Sequence, residues 1–254
     1  MNGRLRHHLA NELRRSLYLA RRYWVESLLG AGFVLSLFGG LLVAVVQVSG
    51  KGLDSGEVDG LIVGFAVWLF AQSAFGSISG EITSETEQRT LEQISLAPRS
   101  LGGLLSVRAL LGLSGSLLML LLTLGLAHAL TDGRVQVNAA VLAVTLLGAP
   151  SLLGVSYAMA GLMLLVKRGE LLLVAAFPVL IGLVALPAYP PDALSLLPYA
   201  LSAAAARAAA AGELLAWSTW GAVALNAGLY LLAGRLVFQA LLRRARRLGV
   251  LGHF

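Results

Sequence analysis

The sequence has no cysteine, so neither a disulfide nor a thiolate metal site belongs to it. Lysine is nearly absent as well. It occurs only at Lys51 and Lys167, followed by Gly52 and Arg168, whereas a phosphate-cradling loop needs the run G-x-x-x-x-G-K-[ST]. The chain therefore carries no nucleotide-binding loop of that kind. Charge of either sign is scarce, at 13% of residues against roughly a quarter in ordinary soluble domains. Carboxylates are missing from the middle of every long apolar run. Glu26, Glu81, Glu170 and Glu213 stand at the ends of those runs, which argues against the buried acids of proton- or sodium-coupled carriers. A cleavable signal peptide is also excluded, because the first apolar run begins near Leu28, after six arginines and without a small-residue cleavage site.

What is present is apolar. Hydrophobic residues make up 57% of the chain and the mean hydropathy is +0.81, the composition of an integral membrane protein. Six segments approach or exceed the roughly 20 residues needed to cross a hydrocarbon core: Leu28 to Val48, Leu61 to Gly80, Gly103 to Leu130, Asn138 to Val166, Leu171 to Ala188 and Leu214 to Leu242. Glycines within them, as in GAGF, FGG, GLSG and GAP, read as sites of close helix packing. If both termini lie in the cytoplasm, Arg4, Arg6, Arg14, Arg15, Arg21, Arg22, Arg89, Arg99, Arg108, Lys167, Arg168, Arg235, Arg243, Arg244, Arg246 and Arg247 fall on the inner side. Only Lys51, Arg134 and Arg207 fall outside. That is the positive-inside pattern of an even number of spans. It also removes nucleic acid as a partner, since the basic residues spread along one membrane face instead of forming one patch.

Before the first span, Leu5, Leu9, Leu13, Leu17, Ala20 and Trp24 fall on one helical stripe, and Arg4, Arg14, Arg15, Arg21 and Arg22 lie largely opposite. Such a helix is suited to lie in the headgroup layer on anionic lipid, the alternative being a solvated basic tail. Between the fifth and sixth spans, Pro187, Pro190, Pro191 and Pro198 precede LSAAAARAAAA, whose alanines favour helix. This connection is expected to fold back as one or two short outer helices, either a surface helix or a lid over an exit path. The expected fold is thus an all-α membrane protein with three parts. Residues 1–27 form an amphipathic interfacial helix, 28–242 a six-span domain and 243–254 a basic cytoplasmic tail.

The most polar stretch, EITSETEQRTLEQISLAPRS from Glu81 to Ser100, separates the second and third spans. Glu81, Glu85 and Glu87 are expected to carry the second span out into water, because carboxylates and hydroxyls at this density cannot stay in lipid. Thr90 then precedes Gln93 at capping-box spacing, and Glu92 near the helix start suits the positive end of the helix dipole. Leu91 and Ile94 give a small apolar edge, and Pro98 ends the helix. Isolated helices this short are marginal in water, so this one must pack, either on its own spans or in a groove of a soluble partner.

The acid-rich end of the second span, the run RTLEQISLAPRS and the Arg-bearing start of the third span resemble the GTLEQL-x-x-SP signature of permease subunits in type-2 ATP-binding-cassette exporters. The six-span layout, the N-terminal amphipathic helix and the ending RRARRLGVLGHF are similar to that family too. The resemblance implies that Thr90 to Ala97 is a coupling helix, with Glu85, Glu87, Arg89, Thr90, Leu91, Glu92, Gln93, Ile94 and Pro98 docking a separate nucleotide-binding ATPase subunit. ATP and Mg are held by that partner and no cofactor by this chain. It also implies a second permease copy or homologue, a place in the inner (plasma) membrane, and a hydrophobic or amphipathic cargo such as a drug, lipid or haem. Arg89 departs from the pattern, standing where Gly is usual. The run LLGAPSLLGVSYAMAGLMLLVKRGELLLVAAFPVL is similar to part of the haem-exporter permease of cytochrome c maturation, which stands as the alternative. An intramembrane serine protease is suggested by Gly112-Leu113-Ser114-Gly115. It is disfavoured because His128, the one candidate base, lies fourteen residues on along the same predicted helix, roughly 21 Å away, when a base must be within about 3 Å.

Overall fold

The computed structural model describes residues 12–19, 21–49, 56–88, 90, 101–166 and 170–249. Residues 12–19 are helical. They are followed by α1 (Trp24–Ser49), α2 (Gly56–Glu87), α3 (Leu101–Leu130), α4 (Ala139–Met163), α5 (Glu170–Ala185), a 3₁₀ turn (Ala193–Leu196), α6 (Ala200–Ala210) and α7 (Trp217–Arg247). No strand occurs among the described residues. Long runs of Leu, Ala, Val and Gly leave the backbone to satisfy its own hydrogen bonds, and in hydrocarbon only the helix does so within one segment.

Among the described residues five helices, α1, α2, α3, α4 and α7, are long and apolar enough to cross a membrane. The fifth expected span is shorter in the structure. Its 16 described residues measure about 24 Å at 1.5 Å per residue, less than the roughly 30 Å hydrocarbon core. At the other end, α7 runs on through Arg243, Arg244, Arg246 and Arg247 as continuous helix, so the first half of the basic tail extends the last span.

The centre of the bundle is the pair α4 and α7. Gly154 of α4 faces the backbone of Tyr230, and Gly234 of α7 faces the backbone of Gly154, so a Cβ at either position would overlap the opposing helix. One turn or two further on, Gly161 meets Phe238 and Leu241. Residue numbers rise together along this seam, so α4 and α7 run parallel. Glycine on both sides lets the backbones approach this closely. On the opposite side of α4, the hydroxyl of Ser156 accepts from the Ile78 and Ser79 amides of α2 at 3.2 and 3.1 Å.

The alanine-rich segment is not a surface helix. In α6, Ala200, Leu201, Ser202, Ala203, Ala204, Ala205, Ala206, Ala209 and Ala210 are all buried, with Ser202 donating to the Val144 carbonyl at 2.7 Å beside Gly148. Side chains of one carbon let this helix enter the bundle between α2, α4 and α5. Asn138 fastens its far end, capping α4 through the Val141 amide at 3.0 Å and donating to the Ala209 carbonyl at 2.9 Å. The turn before it hangs on α7, where Asn226 donates to the carbonyls of Ser195, Leu196 and Leu197 and Tyr230 donates to Leu196.

By contrast α1 is peripheral. Phe38 is its one fully buried side chain among those described, stacked on Phe65 of α2 at 5.4 Å. Leu28, Leu29, Phe33 and Leu37 stay exposed. In the helical segment before it, Leu13 and Leu17 are likewise uncovered, the apolar face that an interfacial helix would give to lipid.

Candidate functional site at the junction of α2 and α3

Two carboxylates four residues apart on α2, Glu81 and Glu85, share one helical face. Opposite them Arg108 rises from the second turn of α3. Its Nη1 donates to Glu81 Oε2 at 2.8 Å and to Glu85 Oε1 at 2.6 Å, and its Nε donates to Glu12 Oε2 at 3.4 Å. The guanidinium is 11% exposed and the Glu85 side chain 9%, while Glu81 keeps 33%. Glu12 also meets Arg15 at 3.6 Å. One arginine thus gathers the N-terminal segment, the end of α2 and the start of α3.

The cluster reaches into the connecting loop through Thr90. Its hydroxyl donates to the second oxygen of Glu85, and its amide donates to the Glu85 carbonyl at 3.0 Å. Glu85 therefore closes the chain back on α2 immediately after the helix ends. Such an arrangement is held by charge-assisted bonds in a partly dehydrated setting, where they are strongest.

A second polar cluster flanks the first. The Tyr157 hydroxyl of α4 bonds the Gly102 carbonyl at 2.8 Å and Ser106 Oγ at 2.5 Å. Arg235 of α7 lies 5.8 Å from the centre of the Tyr157 ring, and Phe238 packs against it at 5.4 Å. The first turns of α3 are therefore held by α2 on one side and by α4 and α7 on the other.

Against the sequence expectation, of Glu81, Glu85 and Glu87 only Glu87 is exposed; Glu81 is half-buried and Glu85 buried. The reason is Arg108. A cation in the first turns of an apolar span must find an anion, and the nearest acids turn inward to supply it. Glu85, Thr90 and Glu87 are thus placed at the root of the predicted docking element. Arg89, Leu91, Glu92, Gln93, Ile94 and Pro98 lie outside the described residues, as does the contact between Thr90 and Gln93. Glu12 has no role in the sequence reading, and Arg108 enters it only as the arginine at the start of the third span, not as the partner of Glu81 and Glu85. The usable signal was the Glu81/Glu85 spacing together with an arginine seven residues into an apolar helix.

Two polar residues of the spans singled out from sequence, His128 and Ser114, have local partners. His128 Nδ1 lies 2.8 Å from the Val135 carbonyl and closes the turn after α3. Ser114 donates to the Leu111 carbonyl of its own helix at 2.6 Å. At the opposite end of the bundle from Arg108, Arg207 of α6 donates to the carbonyls of Val184 and Leu186, at the end of α5. Among the described residues no group of three or more His, Cys, Asp or Glu is arranged to hold a metal ion. Comparison with known protein families and with curated proteins finds no match.

Proposed function

We propose that this chain is the membrane-spanning permease subunit of a type-2 ATP-binding-cassette exporter, moving a hydrophobic or amphipathic substrate with energy from ATP hydrolysed on a separate subunit. The observation that carries the reading is the Arg108 cluster. A loop that transmits a push from a soluble ATPase must be rooted so that force on it moves the spans and not the loop alone. Here Glu85 binds the loop entry through Thr90 and binds α3 through Arg108, so α2, α3 and the loop entry move as one. The TLEQ…P run between those roots supplies the docking surface, with Leu91 and Ile94 as its apolar edge.

Six crossings with both termini cytoplasmic go with this reading. Parallel α4 and α7 require the chain to return across the bundle between Met163 and Trp217, a path on which α5 is the long apolar element. The free apolar side of α1, with Leu28, Leu29 and Phe33 uncovered, suits a second permease copy, because one six-span unit encloses only part of a central pathway.

The experiment is co-purification with any ATP-binding-cassette ATPase encoded beside this chain, its co-expression with the tagged permease being the first arm. Leu91→Asp or Ile94→Asp is expected to abolish capture of the ATPase and ATP-dependent transport in vesicles while leaving the spans folded. Unchanged capture by both variants, or transport without any ATPase, excludes the assignment.

A further inference from the structure

A half-open cavity of about 360 Å³ lies between α2, α4 and α5, lined only by apolar side chains, among them Phe75, Leu152, Met159, Leu172, Ala176 and Leu183. Its volume falls within the roughly 300–1,000 Å³ of small-molecule sites, but a lining without a polar atom can orient nothing by hydrogen bonding. Its shape sets the ligand class. From Leu172 to Leu183 it follows α5 for eleven residues, about 16 Å at 1.5 Å each. That is close to half of the roughly 30 Å hydrocarbon core, the depth of one leaflet, and it runs along the span as an alkyl chain does.

The cavity's Leu183 end adjoins a cation. Val184 follows Leu183, and its carbonyl and that of Leu186 are the acceptors for Arg207. These acceptors are neutral, and no carboxylate lies within ion-pair distance of Arg207 among the described residues. Burial lowers the pKa of the guanidinium below its ordinary value, and a partly buried charge is stabilised by an opposite one. Among the described residues these two carbonyls take two of the five guanidinium donors.

From these two observations we infer that the α2/α4/α5 cavity holds one alkyl chain of an anionic amphiphile whose head lies toward Arg207. The site requires only that the chain be membrane-embedded; it does not depend on the export reading. A bilayer phospholipid and an exported amphiphile share this chemistry.

The test uses the full-length protein in nanodiscs containing phosphatidylglycerol or phosphatidylcholine with a photoreactive group on one acyl chain, followed by peptide mapping. Wild-type protein is expected to be labelled in residues 152–159 and 172–183 well above the exposed α1 surface at 28–37. Phosphatidylglycerol should be favoured about fivefold, the equivalent of about 1 kcal/mol per basic residue near an anionic lipid. Arg207→Gln should equalise the two lipids and Arg207→Lys should keep the preference. Ala176→Trp, which fills the cavity, should remove labelling of 172–183 but not of α1. Equal labelling of cavity and α1 in the wild type overturns the proposal without need of any variant, as does equal labelling by the two lipids. A phosphatidylglycerol adduct retained through purification identifies the occupant as resident lipid. Labelling that falls when the ATPase and ATP are added identifies it as cargo.

Discussion

Arg108 is the residue on which the α2–α3 junction turns, and its partners are not equal. Glu85 is buried and bonded on both oxygens, to Arg108 and to Thr90, whereas Glu81 keeps a third of its side chain in contact with solvent or headgroups. Removing the cation leaves a buried carboxylate without a counter-charge, a loss of about 3–5 kcal/mol for a buried pair. Removing Glu81 loses one partly screened bond, about 0–1 kcal/mol. Arg108→Leu should therefore lower the apparent melting temperature in detergent, read by size-exclusion after heating, far more than Glu81→Gln does. Similar shifts for the two variants would show that the cluster is not organised around a buried Arg108–Glu85 pair. The sequence displays all three acids and the arginine, yet as separate charges, Glu81, Glu85 and Arg108 near span ends and Glu12 in the segment before the first span. That they converge depends on the antiparallel register of α2 and α3, which no local pattern encodes. By contrast, His128 is explained by its own neighbourhood, because its acceptor, Val135, is seven residues away.

At the scale of elements, the glycines separate into two populations that composition cannot tell apart. Gly39 and Gly40 of α1, Gly112 and Gly115 of α3 have nothing within 4 Å of where a Cβ would stand, while Gly154 and Gly234 meet opposing backbone. The expectation of close packing in the spans thus holds for the glycine of GAP, Gly148, and for Gly154, Gly161 and Gly234, and it does not hold within this chain for GAGF, FGG or GLSG. Gly40→Ala should be neutral or gain up to about 1 kcal/mol from helix propensity. Gly154→Ala must push α7 away from α4, because the clash is with a main-chain carbonyl that no rotamer change can clear, and the folded yield in mild detergent should fall sharply. Equal yields for the two would mean that the α4–α7 crossing is looser than the structure has it. Helix α6 teaches the same lesson in reverse. Its alanines announce a helix by propensity, but their smallness, which admits it to the interior where its Ser202 reaches the Val144 carbonyl of α4, is equally compatible with the surface; burial is a property of the partner elements, Gly148 among them.

For the whole molecule, the helical class and the places of the long apolar helices were legible because hydrocarbon permits so few solutions. The apolar runs from Gly103 and Asn138 differ from α3 and α4 by three residues or fewer at each end. What the runs could not disclose is how many cross, since α5 is only 16 residues long. The parallel α4–α7 seam bears on this directly. If α5 crosses, Trp217 starts α7 on the same side as Ala139 starts α4, and its arginine-rich end returns to the side of Gln88. If α5 does not cross, α7 must begin beside the end of α4, and the two helices would be antiparallel, so that Gly154 and Gly234 could still meet while Gly161 could not face Phe238 and Leu241. The absence of cysteine makes the alternatives separable with single substitutions at exposed positions. Gln88→Cys and Leu248→Cys should react with a membrane-impermeant maleimide only from the cytoplasmic side, in inside-out vesicles, and Glu213→Cys only from the opposite side, in right-side-out vesicles. Five crossings would exchange the last two results, placing Glu213 with Gln88 and Leu248 across the membrane, and would set Arg243, Arg244, Arg246 and Arg247 outside. Four arginines in five residues oppose that outcome through the positive-inside bias, and the parallel seam opposes it through packing.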